Sequence, residues 1–80
     1  MENTALLSRI TLIPDLCNGK PTIRGMRITV ETLLEFLTTG DSVEDILTAY
    51  PFLEKEDIQA SVAYALKNLS LNKHEIQLVS

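Results

Sequence analysis

Residues 29–69 read TVETLLEFLTTGDSVEDILTAYPFLEKEDIQASVAYALKNL, and their spacing decides the fold. Val30, Leu33, Leu34 and Leu37 recur at i, i+3, i+4 and i+7, the signature of one apolar helix face. Thr29 stands where an N-cap belongs, and Gly40 offers the left-handed residue that stops a helix. The chain restarts at once. Ser42 with Asp45 three residues on forms a capping-box pattern, with Asp in the usual Glu place. Val43, Ile46, Leu47 and Tyr50 give the second helix its apolar side. Pro51 ends it, because proline disfavours helical geometry at Tyr50 and donates no backbone hydrogen bond. A third helix is predicted from about Glu54 to Leu69, with Ile58, Val62, Ala65, Leu66 and Leu69 turned inward. Helices joined by such short turns cannot lie in one plane and must cluster, and the second and third match helix-turn-helix spacing.

Upstream, the pattern changes from helical to extended. Ile10-Thr11-Leu12-Ile13 is a β-prone run closed by Pro14-Asp15, and Asn18-Gly19 supplies the positive φ values of a tight turn. Thr22-Ile23-Arg24 and Arg27-Ile28-Thr29-Val30 flank a bend at Gly25-Met26. The first eight residues carry no clear pattern and are expected to fray or to depend on a partner. The expected organisation is one domain over 1–80: a β or loop segment at about 9–29, a three-helix cluster at 30–69 and a tail at 70–80. The fold class is therefore mainly α with a small N-terminal β appendage.

Eighty residues bury only about 60–65% of the surface that the unfolded chain exposes, so oligomerisation or a partner is expected to add stability. Apolar residues at 45% and charged residues at 22% are ordinary globular values and argue against overall disorder. One cysteine, Cys17, excludes an internal disulfide, and one histidine, His74, leaves little for metal ligation or Ser-His and Cys-His chemistry. With no apolar run of membrane-spanning length and no signal-peptide pattern at the start, the expected location is the cytoplasm. No enzyme activity and no cofactor are expected. The net charge of −4 is uneven: residues 1–29 carry +2 and residues 30–80 carry −6.

Glu54, Glu56 and Asp57 are explained by their place in a helix first turn, where carboxylates favour the dipole. The three glycines are too far apart for a phosphate loop. The unusual stretch is Gly19-Lys20-Pro21-Thr22-Ile23-Arg24-Gly25-Met26-Arg27-Ile28, with three cations in ten residues. Lys20, Arg24 and Arg27 are accordingly the candidate DNA-binding residues, since such cations can grip phosphates. The competing reading pairs them with the domain's own acids, such as Glu31 or Glu35. Helix-turn-helix proteins read DNA with the start of the second helix of the motif, here Glu54-Lys55-Glu56-Asp57. Its carboxylates repel phosphate, which directs any DNA contact to the Lys20–Arg27 segment.

The stretch from Gly19 to Ile28, with Ser42-Val43-Glu44-Asp45-Ile46-Leu47, Tyr50-Pro51 and Asp57-Ile58-Gln59-Ala60-Ser61-Val62-Ala63-Tyr64-Ala65, resembles the prokaryotic family known as domain of unknown function 433 (DUF433). The resemblance covers about residues 9–67. Met26 stands where the family usually has Thr, and Thr29 where it usually has Pro. The resemblance implies a homeodomain-like tri-helical fold and an antitoxin-like partner of small PIN-like ribonucleases, in the style of VapB antitoxins. It therefore implies a PIN-like toxin protein as partner, with promoter DNA and further copies of the chain as additional partners. On that reading Leu71, Ile76, Leu78 and Val79 in the tail are the candidate partner-binding residues. The alternative is a non-catalytic interaction or oligomerisation module without nucleic-acid binding. Two structural expectations accompany these readings: positive φ at Gly25, and a cost of about 2–5 kcal/mol for Leu66→Ala if Leu66 is buried.

Overall fold

The computed structural model describes residues 4–71, and side chains within residues 5–69. Helix α1 (Thr4–Leu7) leads into strand β1 (Ile10–Thr11), which pairs antiparallel with β2 (Thr22–Ile23). A short 3-10 turn (Cys17–Gly19) lies between the strands, and the remaining elements are α2 (Val30–Thr38), α3 (Val43–Ala49) and α4 (Lys55–Leu71). The mainly helical class with a small N-terminal sheet is as expected, and the three-helix cluster is α2, α3 and α4. The first eight residues differ from expectation. Residues 4–7 form a helical turn packed against α4, because a long neighbouring helix offers an apolar surface that local sequence does not reveal.

Each helix boundary has a visible local cause. The Thr29 hydroxyl accepts the Thr32 amide at 3.1 Å and caps α2, so the departure from the family's proline keeps a helix start. At the other end Gly40, at φ +99°, donates to the Leu37 carbonyl, and Asp41 donates to Phe36. That pair of bonds is a Schellman stop. Ser42 and Asp45 form the reciprocal capping box, with bonds of 2.9 and 3.0 Å. The amide of Ser42, first, and its hydroxyl hold the Asp45 carboxyl below its ordinary pKa.

The N-terminal unit is a hairpin around Arg24-Gly25. Met26 donates to Ile23 at 2.8 Å, and both central residues have positive φ, +47° and +73°, which defines a type I′ turn. Ile23 donates to Ile28, and Thr22 bridges Thr29, so β2 carries β1 on one side and the returning chain on the other. A Cβ at Gly25 meets no atom within 4 Å, so a substitution there strains only the backbone. Gly25→Val is expected to cost about 1–2 kcal/mol in urea unfolding, and an unchanged midpoint would refute the turn assignment.

The core joins the hairpin to all three long helices through Ile23, Ile28, Val30, Leu33, Ile46, Leu53 and Ile58. Met26 packs against it, and so do Phe36 and Tyr50, whose rings stack at 5.7 Å. The expected inward face of α4 needs correction. Ile58 is buried, with Asp57, Ala60, Ser61 and Ala63, but Val62, Leu66 and Leu69 are 39%, 60% and 54% exposed. The reason is direction: Val62 is exposed between buried Ser61 and Ala63, so it faces away from the elements that cover α4 at that level. Leu66 and Leu69 lie four and seven residues further on, on the same outward side of the helix. Leu66 is a surface residue of the folded chain.

Candidate functional site

The most connected polar group lies where the hairpin meets the start of α4. Asp57 occupies the third position of the helix and is fully buried. Its Oδ1 accepts from Arg9 Nη1 at 2.9 Å and Arg24 Nε at 3.0 Å. Its Oδ2 accepts from Arg24 Nη2 at 2.7 Å and from the Glu54 amide at 2.8 Å. One carboxylate thus clamps two arginines and caps its own helix. Arg24 also donates to the Phe52 carbonyl at 3.2 Å, and Arg9 reaches Glu54 Oε1 at 2.7 Å. The Arg24 amide donates to the Arg9 carbonyl at 2.8 Å, so the backbone itself holds the two arginines side by side.

Burial pushes the Asp57 carboxyl up, but Arg24, the Glu54 amide and Arg9 together outweigh it and hold the group below its ordinary pKa. Both arginines are shifted upward, Arg9 chiefly by Glu54 and Arg24 chiefly by Asp57. A carboxylate held ionised by four donors is a poor proton acceptor near neutral pH. Its chemistry is to fasten β1 and the hairpin turn to α4. Arg24 sits at a positive φ that costs a side-chain-bearing residue about 1–2 kcal/mol, and the two-pronged grip of Asp57 offsets that strain.

The three candidate DNA-binding residues are not brought into one open patch. Lys20 pairs with Glu31 on α2 at 3.2 Å, both side chains being exposed. Arg24 is committed to Asp57 rather than to Glu31 or Glu35. Arg27 is exposed and, among the described residues, has no ion pair. Of the partner-binding candidates, Leu71 ends α4 but its side chain is not described, and Ile76, Leu78 and Val79 lie outside the described residues, as does His74.

Of the three acids expected in the first turn, Glu56 and Asp57 lie there, whereas Glu54 immediately precedes α4, and the arginine partners of Glu54 and Asp57 were not foreseen. The available signal was a buried-type Asp at the third helix position in a chain with cations far upstream. Nothing in local spacing names Arg9 as a partner across 48 positions.

A second feature is apolar. A groove of about 660 Å³ runs between α2 and the C-terminal half of α4, lined chiefly by Pro21, Val30, Leu34, Tyr64, Ala65 and Leu69. Glu31 and Glu35 also line it. Among the described residues no cluster of three or more His, Cys, Asp or Glu is placed to hold a metal ion, and no helix is long and apolar enough to cross a membrane.

Residues 10–65 match the model of the family described as "Protein of unknown function (DUF433)". The chain is 37% identical over 59 residues to the uncharacterized protein y4eO of Sinorhizobium fredii (strain NBRC 101917 / NGR234). That similarity covers 74% of this chain and 27% of the relative, so the chain spans about a quarter of that protein's length. The crystal structure of a DUF433 member from Anabaena variabilis ATCC 29413 is similar with a TM-score of 0.74 and 33% identity. It covers 90% of this chain and 71% of its own. The family match runs from the first strand through the middle of α4, and the solved member shares the fold over nearly the whole chain: this protein belongs to the DUF433 family.

Proposed function

We propose that this protein is a non-catalytic binding partner of antitoxin type, which covers a small PIN-like ribonuclease and acts in the cytoplasm. The observation that carries the reading is how its surface is spent. The clustered polar groups are committed to structure: Asp57 to two arginines, Asp45 to a helix cap and Lys20 to Glu31. Large apolar side chains meanwhile face solvent at Leu12, Phe52, Leu66 and Leu69. Exposed apolar surface on so small a chain supports a protein partner rather than a small-molecule reaction. The tail residues Leu71, Ile76, Leu78 and Val79 are the proposed toxin contacts. Promoter binding, on this reading, falls mainly to Arg27, the exposed hairpin cation, with Lys20 and Arg24 secondary because each already holds an internal acid.

Affinity capture from the native host tests the first part. A small PIN-like protein is expected at near-stoichiometric amount, with its ribonuclease activity suppressed by the purified chain. Capture of the chain alone, or a nuclease unaffected by it, overturns the antitoxin reading. Binding to the chain's own promoter is expected to weaken several-fold on Arg27→Ala and to fall steeply with salt. The internal commitment of Arg24 favours one other reading, an interaction module without nucleic acid. Undetectable promoter affinity, for the chain and its complex alike, selects that reading.

A further inference from the structure

We propose that the exposed face on the C-terminal half of α4, with the groove beside it, pairs with the same face of a second copy of this chain. Val62, Leu66 and Leu69 follow one another at intervals of four and three residues, the spacing of a helix-pairing seam. They lie on the outward side of α4, where Val62 is exposed between buried Ser61 and Ala63. The apolar groove against α2 lies next to this seam, and Leu69 belongs to both. A protruding ridge and a receiving groove on one face are what a two-fold contact requires, since each copy must offer both halves. Leu66 of each copy enters the groove of the other, between Tyr64, Ala65 and Leu34.

Charge points to the same occupant. Lys67 follows Leu66, and among the described residues it has no ion pair. Glu35 lines the groove and likewise has none among the described residues, whereas Glu31 beside it holds Lys20. Inserting Leu66 carries Lys67 to the partner's Glu35, and the two-fold axis repeats the pair. This inference stands whether or not the antitoxin reading holds.

Sedimentation equilibrium on the full chain, from about 10 µM to about 1 mM, is the test. The wild type is expected to show a reversible monomer–dimer equilibrium. Leu66→Lys raises the dissociation constant by about 100-fold, with helix content and unfolding midpoint of the dilute monomer unchanged because Leu66 is exposed in it. Lys67→Glu weakens the dimer by about tenfold, and adding Glu35→Lys restores it. A wild type that stays monomeric overturns the proposal, as does a dimer indifferent to Leu66→Lys. A dimer lost on Leu78→Lys but untouched by Leu66→Lys places the contact in residues 72–80 and overturns it too. Failure of the charge swap to restore the dimer removes the Lys67–Glu35 pairing.

Discussion

Asp57→Ala is expected to lower the thermal unfolding midpoint by more than about 10 °C, corresponding to a loss of about 2–4 kcal/mol. The substitution removes four accepted hydrogen bonds at once and leaves two guanidinium groups facing each other without their shared anion. Breaking a buried pair from one side costs about 3–5 kcal/mol. The lower figure applies here because Arg9 and Arg24 are partly exposed and recover some hydration. The exposed Lys20–Glu31 pair sets the contrast, since breaking such a surface pair costs about 1 kcal/mol at most. Asp57→Asn keeps the shape and can still accept from the Glu54 amide, so its loss is expected to be smaller.

The same carboxylate gives the fold an acid dependence of definite sign. Its folded pKa is lower than its unfolded value, so the unfolded chain takes up the proton more readily. The stabilisation is complete above the ordinary carboxylate range near pH 4 and is lost as pH falls through the lowered folded value. Urea unfolding from neutral pH down to about pH 3 should therefore show a steeper decline for wild type than for Asp57→Asn. Equal slopes in the two proteins would mean that Asp57 titrates normally when folded.

Leu33→Ala is the second large effect, at about 3–5 kcal/mol, from a side chain on α2 with no exposed surface in a core shared by the hairpin and three helices. The cavity cannot collapse easily, because Ile23, Ile46 and Ile58 come from different elements that cannot all move inward together. Leu66→Ala, the same chemical change 33 positions on, is expected to cost the dilute monomer under about 1 kcal/mol. Denaturant midpoints for the two variants measure the difference directly. Similar losses at both sites would contradict the burial pattern of α4.

The contrast between those two leucines shows where local reading stops. Thr29, Gly40, the Ser42–Asp45 box and Pro51 act through backbone groups within a few residues of themselves, so helix boundaries are visible in sequence order. The hairpin turn is equally local, since Gly25 and its neighbours set φ and the Met26–Ile23 bond within four residues. Periodicity also reports that α4 is apolar on a broad face. It cannot report which part of that face finds a neighbour, because that depends on where α1, α2 and α3 pack around α4.

The candidate site divides the same way. Lys20, Arg24 and Arg27 stand out as a cationic run in the linear chain, but each has a different fate once folded. Lys20 meets Glu31, Arg24 is drawn to an acid 33 positions away, and Arg27 is left facing solvent. Element types, their ends and the turn geometry therefore follow from short-range hydrogen bonding and steric preference written in neighbouring residues. The Arg9–Asp57–Arg24 clamp and the uncovered ridge of Val62, Leu66 and Leu69 arise when the hairpin and the helices are packed together. Burial and ion pairing are properties of what lies opposite a residue, and only folding sets what lies opposite.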